Sequence, residues 1–140
     1  MAQKTVLIVD DVAFVRKTLA DILREAHYQV IGEASDGHEA VELYARLKPD
    51  VVTMDIVMPK MSGIEAARKI LKDAPDANIV IISAMGQENL VTEAIHVGAK
   101  DYIVKPFSAK DVLKSLERVF QGDEKRPSKP GRTPREERAS

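Results

Sequence analysis

Short apolar runs alternate with longer amphipathic stretches along the first 120 residues, and the two patterns predict different elements. The short runs are Val6–Val9, Tyr28–Ala34, Val51–Met54, Ile79–Ile82 and Tyr102–Val104. Being rich in β-branched residues, they read as strands. Three are continuously apolar, as strands covered on both faces are. Tyr28–Ala34 is interrupted by Gln29 and Glu33, which suits the edge of a sheet. Between the runs, apolar residues recur with helical spacing. Val15, Leu19, Ile22, Leu23 and Ala26 share one face of a first helix. Ala40, Val41, Tyr44 and Ala45 mark a second, which opens after Ser35-Asp36-Gly37. Ile64, Ala67, Ile70 and Leu71 mark a third; Leu90, Val91, Ala94, Ile95 and Val97 mark a fourth. Ser108, with Asp111 three residues on, predicts the N-cap of a fifth, carrying Val112, Leu116, Val119 and Phe120. Strand and helix thus alternate through five βα units, the pattern of a parallel sheet between two helical layers, a three-layer α/β sandwich.

Composition narrows the possibilities. A chain of 140 residues, 44% hydrophobic and 31% charged, fits one soluble globular domain. Two domains would leave one below about 70 residues, where a core seldom suffices without staples. There is no cysteine, which excludes disulfides, thiolate metal sites and cysteine catalysis. The three histidines, His27, His38 and His96, lack ligand spacing. No apolar run exceeds four residues, so neither a membrane span nor a signal-peptide core is present, and the expected location is the cytoplasm. A net charge of −1 gives no whole-molecule attraction to nucleic acid or lipid. The last twenty residues stand apart, with 6 Lys/Arg against 4 Asp/Glu, three prolines, two glycines and Ala139 as the one hydrophobic residue. They cannot bury enough apolar surface to offset the entropy of ordering. The expected organisation is a domain over 1–120 and a disordered polar tail over 121–140.

The chemistry lies in the residues at the end of each strand. The first ends in Asp10-Asp11, the third in Asp55, the fourth in Ser83 and the fifth in Lys105. Ligands of open α/β sheets bind outside the carboxyl ends of the strands, so four of five strands deliver a polar group to the rim where a site belongs. Singly, these residues have plain readings: Asp10 or Asp11 could cap the first helix, and Asp55 could open a turn into Met58-Pro59. Jointly they are costly, because two carboxylates about 5 Å apart repel by about 3 kcal/mol at an effective dielectric near 20. A hard divalent cation would relieve that repulsion, and an all-oxygen, histidine-free set favours Mg²⁺. Lys105 adds a point charge suited to phosphate, Ser83 a hydroxyl, and a carboxylate a possible nucleophile.

Specific stretches then stand out: VLIVDD at 6–11, DIVMPKMSG from Asp55 to Gly63, IISA from Ile81 to Ala84, and GAKDYIVKPF from Gly98 to Phe107. An Asp with Pro at +4 and Gly at +8, with Lys-Pro further downstream, is highly specific in combination. Over residues 4–120 the chain resembles the receiver domain of two-component response regulators, in particular the CheY-like single-domain chemotaxis regulators. The resemblance implies a flavodoxin-like sheet of five parallel strands in the order 2-1-3-4-5 with five helices. It implies that Asp55 is the phosphoacceptor for the phosphohistidine of a CheA-like sensor histidine kinase. Asp11, Asp55 and the backbone carbonyl of Val57 would ligate Mg²⁺, with Asp10 acting mainly through a bound water. Lys105 would pair with phosphoryl oxygens. Ser83 would reach toward the phosphate and Tyr102 would turn inward behind it, reshaping the face of the fourth helix, fifth strand and fifth helix where a partner such as the flagellar motor switch docks. Without the resemblance, Tyr102 reads equally as a half-buried strand aromatic. Lys105-Pro106 is a candidate cis peptide. Pro59 and Gly63 read as loop-shaping.

Two apolar residues, Val57 and Met85, stand two positions after Asp55 and Ser83, where they would flank water attacking an acyl phosphate. The sequence therefore predicts slow phosphate loss unless a separate phosphatase assists. Competing functions fit less well. A phosphohydrolase resembling the haloacid dehalogenase family needs a second Asp two residues after its nucleophile, whereas Val12 and Val57 occupy that position after Asp10 and Asp55 here. Neither phosphate-loop nor dinucleotide glycine motif occurs. Twenty polar residues cannot form a DNA-binding effector, so no direct DNA or membrane binding is expected. The chain reads as a signalling phosphoacceptor whose catalysis is confined to its own phosphorylation and dephosphorylation. A phosphorelay shuttle serving a histidine phosphotransfer domain, or a truncated receiver of a larger regulator, is the alternative.

Overall fold

The computed structural model describes residues 3–125. Its elements alternate as the periodicity predicts: β1 (Thr5–Val9), α1 (Ala13–Glu25), β2 (Gln29–Ala34), α2 (Gly37–Leu47), β3 (Val51–Asp55), α3 (Gly63–Asp73), β4 (Ile79–Ala84), α4 (Glu88–Val97), β5 (Asp101–Lys105) and α5 (Ala109–Lys125). All strand pairs are parallel, and the order is β2-β1-β3-β4-β5. The mixed strand β2 is indeed an edge, and the apolar β1, β3 and β4 are interior.

Alternation along the interior strands builds the two cores. Val6, Ile8, Val51, Val80 and Ile82 point to one side, where Leu19 and Leu23 of α1 and Val112, Leu116 and Phe120 of α5 cover them. Leu7, Val9, Val52, Met54, Ile79 and Ile81 point to the other, beneath Ala40 of α2, Ile64, Ala67 and Ile70 of α3, and Ala94 of α4. A strand buried on both faces has no room for charged side chains along its length, so they collect at its ends.

Local signals set the helix boundaries. Asp36 caps α2 by accepting from the Glu39 amide at 2.9 Å, and Ser108 and Asp111 exchange bonds of 3.0 and 3.1 Å as a reciprocal capping box. Gly98, at φ 131°, ends α4 in a conformation that L side chains rarely adopt. One boundary differs from expectation. Helix α5 continues to Lys125, taking in the first five residues of the expected tail. Its apolar face anchors it as far as Phe120, and the charged residues beyond are compatible with further helical turns. Residues 126–140 of the expected tail lie outside the described residues.

Candidate functional site: an acidic cluster at the carboxyl rim of the sheet

Parallel pairing brings the ends of β1 and β3 side by side. Ile8 stands opposite Thr53, so the next inward-alternating pair toward the rim is Asp10 and Asp55. One carboxylate oxygen from each of Asp10, Asp11 and Asp55 lies within 4.8 Å of the others. Asp10 is completely buried and Asp55 nearly so, while Asp11 is exposed. The Lys105 ammonium, at the end of β5, reaches across β4 to stand 3.1 Å from Asp10 Oδ2 and 3.6 Å from Asp55 Oδ1. Lys105-Pro106 is a cis peptide, as the sequence suggests.

Neither Asp10 nor Asp11 caps α1. The N-cap position is Val12, which has no side-chain cap, and its amide donates instead to Asp10 Oδ1 at 2.9 Å. Asp10 Oδ2 has the Lys105 ammonium beside it as an ion pair, but at an angle that makes no hydrogen bond, so this buried oxygen accepts none. The ion pair offsets part of the cost of burying this oxygen and leaves it able to take a further partner. Among the described residues, the only other buried side-chain oxygen without a hydrogen bond is Thr53 Oγ1, two residues before Asp55 on the same strand.

The electrostatic consequence falls on Asp55. Burial, and then the neighbouring charge of Asp10, push its carboxyl up to about 6 against the pull of Lys105 in the opposite direction. Burial opposes the charge on Lys105 as well, but attraction to Asp10 and Asp55 outweighs it and leaves the amine raised. One cation cannot neutralise three carboxylates, and the donor set is all oxygen. The arrangement therefore suits a hard divalent cation.

The remaining predicted residues line up along β4 and β5. Ser83 is buried at the end of β4, paired with Val104; Tyr102 pairs with Ile81, on the same side of the sheet as Ser83. Tyr102 is 46% exposed. Between it and Ser83 runs a groove of about 550 Å³ toward α4, lined also by Met85, Glu88, Ile95 and His96. The loop after β3 is closed tightly. Gly63 donates its amide to the Ile56 carbonyl at 2.7 Å, and a Cβ at Gly63 would land on the carbonyl of Asp55 itself. That close approach explains the glycine at +8.

One contributor carries almost no mark in the sequence. Arg16, in the first turn of α1, donates from Nη1 to the Asp10 carbonyl at 2.7 Å and from Nε to Glu33 on β2 at 3.0 Å. Its only sequence signal is an arginine five residues past Asp11, which looks like any polar position on an amphipathic helix.

Residues 6–117 match the family model for the response regulator receiver domain. The chain is 57% identical over 116 residues to the chemotaxis protein CheY of Thermotoga maritima, covering 83% of this chain and 97% of that one. It is 49% identical over 115 residues to CheY of Bacillus subtilis, covering 82% and 96%. Among solved structures, the CheX–CheY–BeF3–Mg²⁺ complex from Borrelia burgdorferi matches with a TM-score of 0.81 at 41% identity, covering 84% of this chain and 89% of the matched chain. The chain belongs to the response-regulator receiver family and is a response regulator of the chemotaxis type; these relatives do not favour the phosphorelay-shuttle alternative. No helix among the described residues is long and apolar enough to cross a membrane.

Proposed function

Taking that membership as the premise, we propose that the chain accepts a phosphoryl group on Asp55 from the phosphohistidine of a CheA-like sensor kinase. In its phosphorylated form it then signals by binding another protein. The observation that carries this reading is the convergence of Asp10, Asp11, Asp55 and Lys105 at one rim, from positions far apart in the chain. The oxygen donors, and the Asp10 oxygen that accepts no hydrogen bond, fit Mg²⁺, which Asp10, Asp11, Asp55 and the backbone carbonyl of Val57 would hold. When bound, the ion supplies charge neutralisation at the phosphoryl oxygens. The relative from Borrelia burgdorferi, crystallised with BeF3 and Mg²⁺, supports the same assignment.

The chain's own residues do the rest. An Asp55 carboxylate oxygen attacks phosphorus, the P–N bond to the donor imidazole breaks, and the imidazole keeps the electron pair. Burial makes Asp55 a stronger base than an exposed carboxylate while leaving it mostly ionised above pH about 6. Lys105, shared by Asp10 and Asp55 before transfer, pairs with the incoming phosphoryl oxygens. Ser83 turns its hydroxyl to the phosphate, and the Tyr102 ring swings into the space beside it, changing the face of α4, β5 and α5. A flagellar motor switch component is the target of that face.

Four apolar residues that closely follow the site residues in the chain, Val12, Phe14, Val57 and Met85, are exposed. They supply a surface for the proteins that must cover the site, the kinase and a phosphatase. The protein is a cytoplasmic phosphoacceptor that catalyses only its own phosphorylation and dephosphorylation. Its receiver unit spans about residues 1–120 with a polar tail beyond. The test is incubation with acetyl phosphate and Mg²⁺, read by intact mass. The native chain gains one phosphoryl group and Asp55→Asn gains none; an unchanged native mass would sink the reading.

A further inference from the structure

Asp11 is the exposed member of the acidic cluster, and its carboxylate accepts no hydrogen bond from any described residue. Its position is therefore set by the backbone of the turn that carries it. That turn enters α1 without a side-chain cap. It is held on one side by the Asp10 amide, which donates to the Ala34 carbonyl at 3.0 Å. On the other side it is held by Arg16, whose guanidinium grips the Asp10 carbonyl at 2.7 Å and is itself braced by Glu33 at 3.0 Å. The Arg16 side chain is 20% exposed, and its bond to the Asp10 carbonyl is partly buried, so water competes weakly there; the brace to Glu33 lies at the surface. Both anchors outside the turn, Ala34 and Glu33, belong to β2, the edge strand.

We propose that Arg16 is a positioning residue for the cation site: through the Asp10 carbonyl it fixes the turn so that the Asp11 carboxylate stands beside Asp10 and Asp55. This rests on the reading of the cluster as a Mg²⁺ site. Two simpler roles give different outcomes. A guanidinium near a cation site repels the cation, so on charge alone its removal would tighten binding. A brace that serves only the fold would alter stability and leave the affinity of the folded protein unchanged.

The experiment is titration of the full chain with MgCl₂ by calorimetry, with circular dichroism establishing that each variant is folded. Arg16→Met weakens Mg²⁺ binding about tenfold, the lower end of what losing an orienting partner costs a metal site. Arg16→Lys, which keeps the charge but lacks the two-pronged grip, falls between the native chain and Arg16→Met and remains informative if the methionine variant does not fold. Tighter binding in Arg16→Met, or Arg16→Lys binding as the native chain does, would overturn the proposal. So would an affinity within twofold of native in a folded Arg16→Met. A native chain that binds no Mg²⁺ would overturn the metal-site reading itself, an outcome separate from the other three.

Discussion

At the amino ends of the strands, Asp50 Oδ2 accepts from the amide and hydroxyl of Thr5 at 2.8 and 3.1 Å, and the Asp50 amide donates back to Thr5 Oγ1 at 2.9 Å. Asn78 donates to the Asp50 carbonyl at 3.0 Å and accepts from Lys100 at 2.8 Å. At the carboxyl ends of the same strands, three carboxylates crowd together with one lysine paired to two of them, one buried oxygen accepts no hydrogen bond, and one carboxyl is pushed up to about 6. The first rim is bonded within the chain. The second is left incomplete by the protein and would be completed by a cation and a phosphoryl group. Polar residues at the end of a buried strand can thus stabilise the fold or hold a reactive site. What separates the two is whether their bonding capacity is met within the chain.

Substitutions at the two rims should therefore move stability in opposite directions. The largest effect is expected for Asp55→Asn in the presence of a chelator, which removes a charge from the crowded rim. Allowing for solvent screening, it raises the unfolding free energy at pH 7 by about 2 kcal/mol, measured by urea denaturation. The sign comes from linkage. The Asp55 carboxyl is raised in the folded state, so its stabilising contribution is full below about 3.8 and is lost as pH rises through about 6. Native chain and variant should converge in stability toward pH 4, diverge as pH rises from about 4 to 6, and keep a constant gap above pH 6; a constant difference between pH 4 and 6 would break the contrast.

Asp50→Ala, at the satisfied rim, lowers stability by about 1.5 kcal/mol. It leaves phosphoryl uptake from acetyl phosphate within twofold of native, and a large loss of uptake would show that the two rims are not independent. The smallest effect concerns the apolar collar. Val57→Asn speeds loss of phosphate from the isolated protein about fivefold, the worth of one hydrogen bond to the attacking water, monitored by intact mass over time. No acceleration would mean that the side chain at 57 does not govern access of water.

Legibility in the sequence divides along the same line. The sheet, its edge strand and its helical layers were legible because burial on two faces imposes apolar runs that few other arrangements require. Asp10, Asp55 and Lys105 were legible because acids and an amine directly after such runs have nowhere to go but the rim. The Arg16 grip was not legible. It depends on a long side chain folding back to a backbone carbonyl, and a helical pattern carries no mark of that. Nor was the network that joins Thr5, Asp50, Asn78 and Lys100, since each residue alone is an ordinary polar flank. The continuation of α5 to Lys125 was missed because it buries no apolar residue past Phe120 that a pattern could register.

Gly63 carries a consequence for how this chain can vary. A single methyl group there would press on the carbonyl of Asp55, although position 63 lies at the start of a helix and eight residues downstream. Drift at that helix entry is thus policed by the placement of the nucleophile more than by helix propensity. Even alanine, the best helix former, would be selected against there for displacing an atom it never bonds to.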